Sequence, residues 1–87
     1  MTVKLLSDIT RRDSPILYRR QYYATAVVGH VGGSEQSIPV AFTIEHSAAA
    51  RPEITVDIKG SLDYPVVPAT RVLREYILRM DSQGMLP

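Results

Sequence analysis

His30 and His46 are the two histidines of this 87-residue sequence, and they are the side chains best suited to proton transfer near neutral pH. Metal binding or acid–base catalysis would need them to converge with carboxylates, and no ligand-spaced motif surrounds either one. The strand pairing derived below places them at opposite ends of a hairpin, with His46 across from Tyr22. There is no cysteine, so a thiolate nucleophile, a thiolate metal site and a disulfide framework are all excluded. Ser34 beside Glu35, and Ser61 near Asp63, put hydroxyls close to carboxylates. Sequence neighbours seldom form a triad, however, and both pairs read as turn chemistry. "GHVGG" at 29–33 would need a following helix to cradle a phosphate, and the pattern that follows is a strand. No catalytic constellation or cofactor loop emerges, and the expectation is a protein that is not an enzyme.

Another chemistry is suggested by "YRRQYY" at 18–23. Arginines for phosphates and tyrosines for bases make a single-strand nucleic-acid platform, here drawn from Arg11, Arg12, Arg19 and Arg20 with Tyr18, Tyr22 and Tyr23. Ten Lys and Arg against nine Asp and Glu leave a net charge of only +1, which disfavours a partner bound mainly through phosphate neutralisation. The stretch is also too regular to be one patch. On a strand, Tyr18, Arg20 and Tyr22 share one face while Arg19, Gln21 and Tyr23 share the other.

The elements that position these residues follow from periodicity. "PEITVDIKG" alternates Ile54, Val56 and Ile58 with Thr55, Asp57 and Lys59, and "SIPVAFTIEHS" alternates Ile38, Val40, Phe42 and Ile44 with polar or small residues, both as half-buried strands do. Pro39 lacks a ladder donor and is expected at a sheet edge or bulge. A third strand over 16–31 puts Tyr22, Ala24, Ala26 and Val28 inward and Leu17, Arg19, Gln21, Tyr23 and Thr25 outward. "VGGSEQS" and "SAAARP" connect these strands as hairpins. Matching faces suggests Val28 opposite Val40, Ala26 opposite Phe42 and Ala24 opposite Ile44, then Phe42 opposite Val56 and Ile44 opposite Ile54. Thr25, Thr43 and Thr55 would then form a polar row across the outer face. Residues 2–9 are either a fourth strand or a short helix, and the turn residues Asp13, Ser14 and Pro15 favour the strand.

From Pro68 the period becomes helical: Ala69, Val72, Leu73, Tyr76, Ile77 and Met80 form one apolar arc, and Gly84 is a left-handed stop. Ala24 and Ala26 are expected to let this helix approach the sheet closely. Arg20, on the covered side, needs a carboxylate or a route to solvent, and a position beyond the helix's cover is expected. The fold class is α+β: an antiparallel meander of three strands, or four with the N-terminal segment, and one C-terminal helix packed on one face.

Two surfaces could bind a partner. Opposite the apolar arc, Arg71, Arg74, Glu75 and Leu78 cluster within about 80° of helix surface, arginines around an apolar anchor; an Arg71 to Glu75 pair on a solvated face is the plainer reading. Tyr23 and Arg19 occupy the uncovered sheet face with Val27 and Ala41. Tyr64, in the stiff "DYPVVP" segment that leads into the helix, could form the rim of a groove with Tyr22 and His46. A single domain of this size buries a thin core, which raises the value of self-association. The first residues lack the apolar run of a secretory signal, and no stretch approaches the ~20 apolar residues of a membrane span. A cytoplasmic interaction module, binding itself or another protein, is the resulting expectation.

Overall fold

The computed structural model of the protein describes residues 1–16, 18–30, 32–48 and 51–87. Leu17, Val31, Ala49 and Ala50 lie outside them, and with them the outward position expected of Leu17 and parts of both expected connections. Among the described residues, four antiparallel strands, β1 (Thr2–Arg12), β2 (Arg19–Gly29), β3 (Glu35–Glu45) and β4 (Glu53–Ile58), form one sheet in sequential order, and α1 (Val66–Ser82) covers one face. The N-terminal segment is therefore a strand, and the α+β meander has four strands.

The alternating apolar residues of the strands all turn to the helix side. Tyr22, Ala24, Ala26 and Val28 of β2, Ile38, Val40, Phe42 and Ile44 of β3 and Ile54 of β4 are buried with Ala69, Leu73 and Ile77 of α1. Tyr22 and Phe42 stack with centroids 4.9 Å apart. Val72, Tyr76 and Met80 pack half-buried at the margins of this core, so the expected apolar arc is the arc that is covered. The helix backbone comes nearest to the two edge strands, β4 and β1, and not to β2. The sheet thus curls around the helix, and Ala24 and Ala26 make room for larger side chains instead of admitting the helix backbone.

The second hairpin has the expected register, Phe42 opposite Val56 and Ile44 opposite Ile54. The first does not. Tyr22 lies opposite Phe42, Ala24 opposite Val40, Ala26 opposite Ile38 and Val28 opposite Gln36. Gly29 already pairs with Glu35, and the loop between them closes through His30 N–H to the Ser34 carbonyl (3.0 Å) and Gly33 N–H to the His30 carbonyl (3.1 Å). Gly32 and Gly33, at φ 106° and 92°, make this tight connection possible. Because the displacement is an even number of residues, every side chain keeps its face while its cross-strand neighbour changes. Thr25 accordingly faces Pro39, and the row across the outer face runs Arg12, Gln21, Thr43, Thr55.

β1 is irregular. Its pairing with β2 slips between Val3 and Leu5 and again between Ser7 and Thr10, and Asp8 has φ 53°. These bulges bring Val3 and Leu6 into the core with Ile9 packed against it, a spacing of three that a regular strand cannot bury on one face. Pro39 sits in the interior strand β3, yet its missing donor does little harm. Its carbonyl accepts from Lys59 N–H (2.9 Å), so its backbone faces the β4 side one row past Ile58, where β4 has ended. At the far end, Met85 N–H donates to the Met80 carbonyl (3.0 Å) and Gly84 N–H to the Asp81 carbonyl (3.1 Å) around Gly84 at φ 68°, a Schellman stop at the expected glycine.

Candidate functional site

β4 is an outer strand, and its free side can be derived from one hydrogen bond. Lys59 N–H points to β3, and successive residues of a strand alternate in direction, so Asp57 and Thr55 also point to β3 while Ile54, Val56 and Ile58 turn their N–H and C=O groups outward. Arg74 corroborates this: its Nε donates to the outward carbonyl of Ile54 at 3.1 Å. The other outward groups of Ile54, Val56 and Ile58 have no partner among the described residues.

Beside this edge runs a groove of about 320 Å³ between β4 and the outer flank of α1, lined by Arg51, Pro52, Ile54, Arg71, Arg74, Glu75 and Leu78. A second depression follows the edge itself, from Pro52 to Val56 under Arg74. Arg71, Arg74 and Leu78, singled out on the helix, are thus gathered at one place. Leu78 is half-buried against the core and forms the apolar wall of the groove. No ion pair joins Arg71 to Glu75 among the described residues, and neither Arg51 nor Arg71 is neutralised by a carboxylate there. The site is cationic along the helix, apolar at its base and bordered by a strand with free main-chain groups.

Tyr23 and Arg19 lie elsewhere, on the uncovered sheet face. Arg19 gives Nε and Nη2 to one carboxylate oxygen of Glu45 at 3.0 and 2.9 Å. Tyr23, half-exposed, has the Arg12 guanidinium 5.0 Å from its ring centre and accepts a bond from Arg12 Nη1 at 2.6 Å. The groove rim of Tyr64, Tyr22 and His46 is not assembled. Tyr22 is buried, and its true neighbour is Phe42. His46, displaced with the register, has its N–H on the Tyr18 carbonyl (2.9 Å). Tyr64 packs at the opposite end of the sheet, 5.7 Å from the ring of His30.

Arg20 is not beyond the helix's cover. The last turn of α1 reaches it, and Asp81 Oδ1 accepts from Arg20 Nη2 at 2.8 Å. Nη1 donates to the Tyr22 hydroxyl (3.1 Å), which in turn donates to the Pro87 carbonyl (3.0 Å), and Nη2 also meets His46 Nε2 at 3.0 Å. Arginine has only donors, so that His46 nitrogen is the acceptor. Burial works against the charged guanidinium, but the bonds it donates to Asp81 and then Tyr22, with the field of both, outweigh it and raise the pKa above its ordinary value. These bonds tie β2 to the last turn of α1 and to Pro87.

Sequence reasoning missed two features. Gln36, a polar residue in an inward position of β3, clamps the segment before α1: its Nε2 donates to the Ser61 carbonyl (2.6 Å) and its Oε1 accepts from Asp63 N–H (3.1 Å). A glutamine in phase with Ile38 and Val40 was the available signal. The other is the β4 edge, invisible until the strand order is known. Among the described residues, no three His, Asp or Glu side chains gather as a metal site, and no helix is long and apolar enough to cross a membrane.

With this antiparallel sheet and single helix goes a kinship: the chain belongs to the BB-0187 family, whose model matches residues 1–82. No curated protein and no solved structure matches it.

Proposed function

We propose that the protein is a small, non-enzymatic interaction module of the cytoplasm that associates with a second copy of itself, using the free edge of β4 and the groove beside it. The observation that carries this reading is the unbulged edge strand, whose outward N–H and C=O groups at Val56 and Ile58 lack partners among the described residues while a partly apolar groove lies alongside. Main-chain pairing supplies affinity at such an edge, and side-chain pockets supply selectivity. The thin core of an 87-residue chain adds a thermodynamic reason to bury more surface.

A nucleic-acid platform draws less support. Arg19 and Arg20 are engaged by Glu45 and Asp81, and Tyr22 is buried, which leaves Arg12 on Tyr23 as the exposed remnant of that set on the open face.

Sedimentation velocity over a dilution series from millimolar to sub-micromolar protein tests the proposal. A concentration-dependent shift from monomer to a larger species is expected. A strict monomer at the highest concentration would overturn it.

A further inference from the structure

We infer that the two copies join by antiparallel pairing of β4 with β4 about a twofold axis through Val56, so that Glu53 of each chain faces Lys59 of the other; this rests on the self-association proposed above. An antiparallel pair of identical strands always sets one residue against itself, so the possible registers can be enumerated. An axis through Thr55 would oppose Glu53 to Asp57 and Arg51 to Lys59, like charges in both cases. One through Asp57 would oppose that carboxylate to itself. An axis through Ile54 would bring Pro52, which has no N–H, to a hydrogen-bonding position against Val56. An axis through Ile58 would leave the first half of β4 facing the loop after Gly60.

Val56 is the remaining choice, and several independent features agree with it. Its register opposes Ile54 to Ile58 and Val56 to Val56 on the helix side, and Glu53 to Lys59 and Thr55 to Asp57 on the other. The residues that meet as hydrogen-bonded pairs are Ile54, Val56 and Ile58, the ones whose main-chain groups point outward. Val56 and Ile58, only half-buried in one copy, would be covered by their counterparts. Lys59 already lies along this row, with Nζ 2.6 Å from Asp57, and from there it can also reach a carboxylate across the seam. Arg74 must give up the Ile54 carbonyl, which the Ile58 N–H of the other copy then takes. Both helices end on the same face of one continuous sheet, since opposed residues share a face.

Two experiments on the full chain test the register. In the first, dimer affinity is measured by sedimentation for Glu53→Lys, Lys59→Glu and the double variant. Each single change should weaken the dimer by roughly tenfold, as two attractive cross-strand pairs become repulsive, and the double variant should recover it. In the second, the absence of native cysteine gives a clean background for cross-linking. Thr55 and Asp57 of opposite copies would form a non-hydrogen-bonded pair with Cα atoms about 4.5 Å apart, within disulfide range. An oxidised mixture of Thr55→Cys and Asp57→Cys chains should yield the mixed cross-linked dimer, and Thr55→Cys alone should not. A dimer that persists without charge-swap recovery or without the mixed cross-link overturns this register while leaving self-association standing. A monomer at every concentration removes both.

Discussion

Arg20 faces the helix-covered side of the sheet, where a guanidinium left without compensation would be costly, and Asp81 from the last turn of α1 meets it there with side chains only 21% and 16% exposed. Replacing Asp81 with alanine removes the carboxylate and leaves the cation in place. We expect a loss of about 1–3 kcal/mol in urea-measured stability, below the cost of breaking a fully buried pair because both groups keep some contact with water. A loss under a few tenths of a kcal/mol would show that solvent already screens the pair. The sign of the pH dependence follows from the direction of the shift. A cation whose pKa is raised on folding contributes stability that is fully present below its unfolded value and lost only as pH climbs through the folded one. The difference between wild type and Asp81→Ala should therefore stay constant from about pH 7 to about pH 9. In the sequence, the need for a counter-ion at Arg20 was legible from its position in the alternation. Asp81 as the answer was not, because it depends on how far the helix reaches along the sheet.

At the scale of elements, α1 is delimited by chemistry that the sequence displays openly. Gly84 at φ 68° closes the Schellman stop, and an alanine there must adopt the same left-handed backbone with a Cβ. Gly84→Ala should cost about 1 kcal/mol in thermal or urea unfolding with little change in spectroscopic helix content, and a neutral result would mean that the last turn frays freely. The faces of β2, β3 and β4 were equally legible, because alternation decides which side is buried. Register was legible in the second hairpin, where matching faces alone found the observed pairing, and not in the first. Two glycines in the loop after Gly29 allow a turn tighter than their spacing suggests, and the pairing moved by two pleats without disturbing any face. β1 was ambiguous for a physical reason: Val3, Leu6 and Ile9 repeat every third residue, which reads equally as a helix, and only bulges reconcile that spacing with a strand. The candidate site was half legible. Arg71, Arg74 and Leu78 share a helix face by arithmetic, whereas Arg51 and the free edge join them through tertiary placement alone.

Taken whole, the molecule is a curled sheet with two outer strands of unlike character. β4 is short and regular, with main-chain groups on offer. β1 is long and twice interrupted, with Asp8 in a left-handed conformation in the middle of its run. A sheet with two regular outer strands could add copies at either side without limit, as a ribbon that lengthens. The kinks in β1 break the even spacing that a further strand would have to match, so the proposed association would have a valence of one: with β4 used, growth would stop. Deleting both Lys4 and Asp8, the extra residue at each of the two interruptions, should smooth β1 and create a second adhesive side. Light scattering of that variant should then reveal species larger than any the wild type forms, and an unchanged size distribution would show that something other than the bulges does the terminating. In a protein that pairs through β4, the irregularity that looks like a defect in the first strand would be the terminator of a would-be polymer.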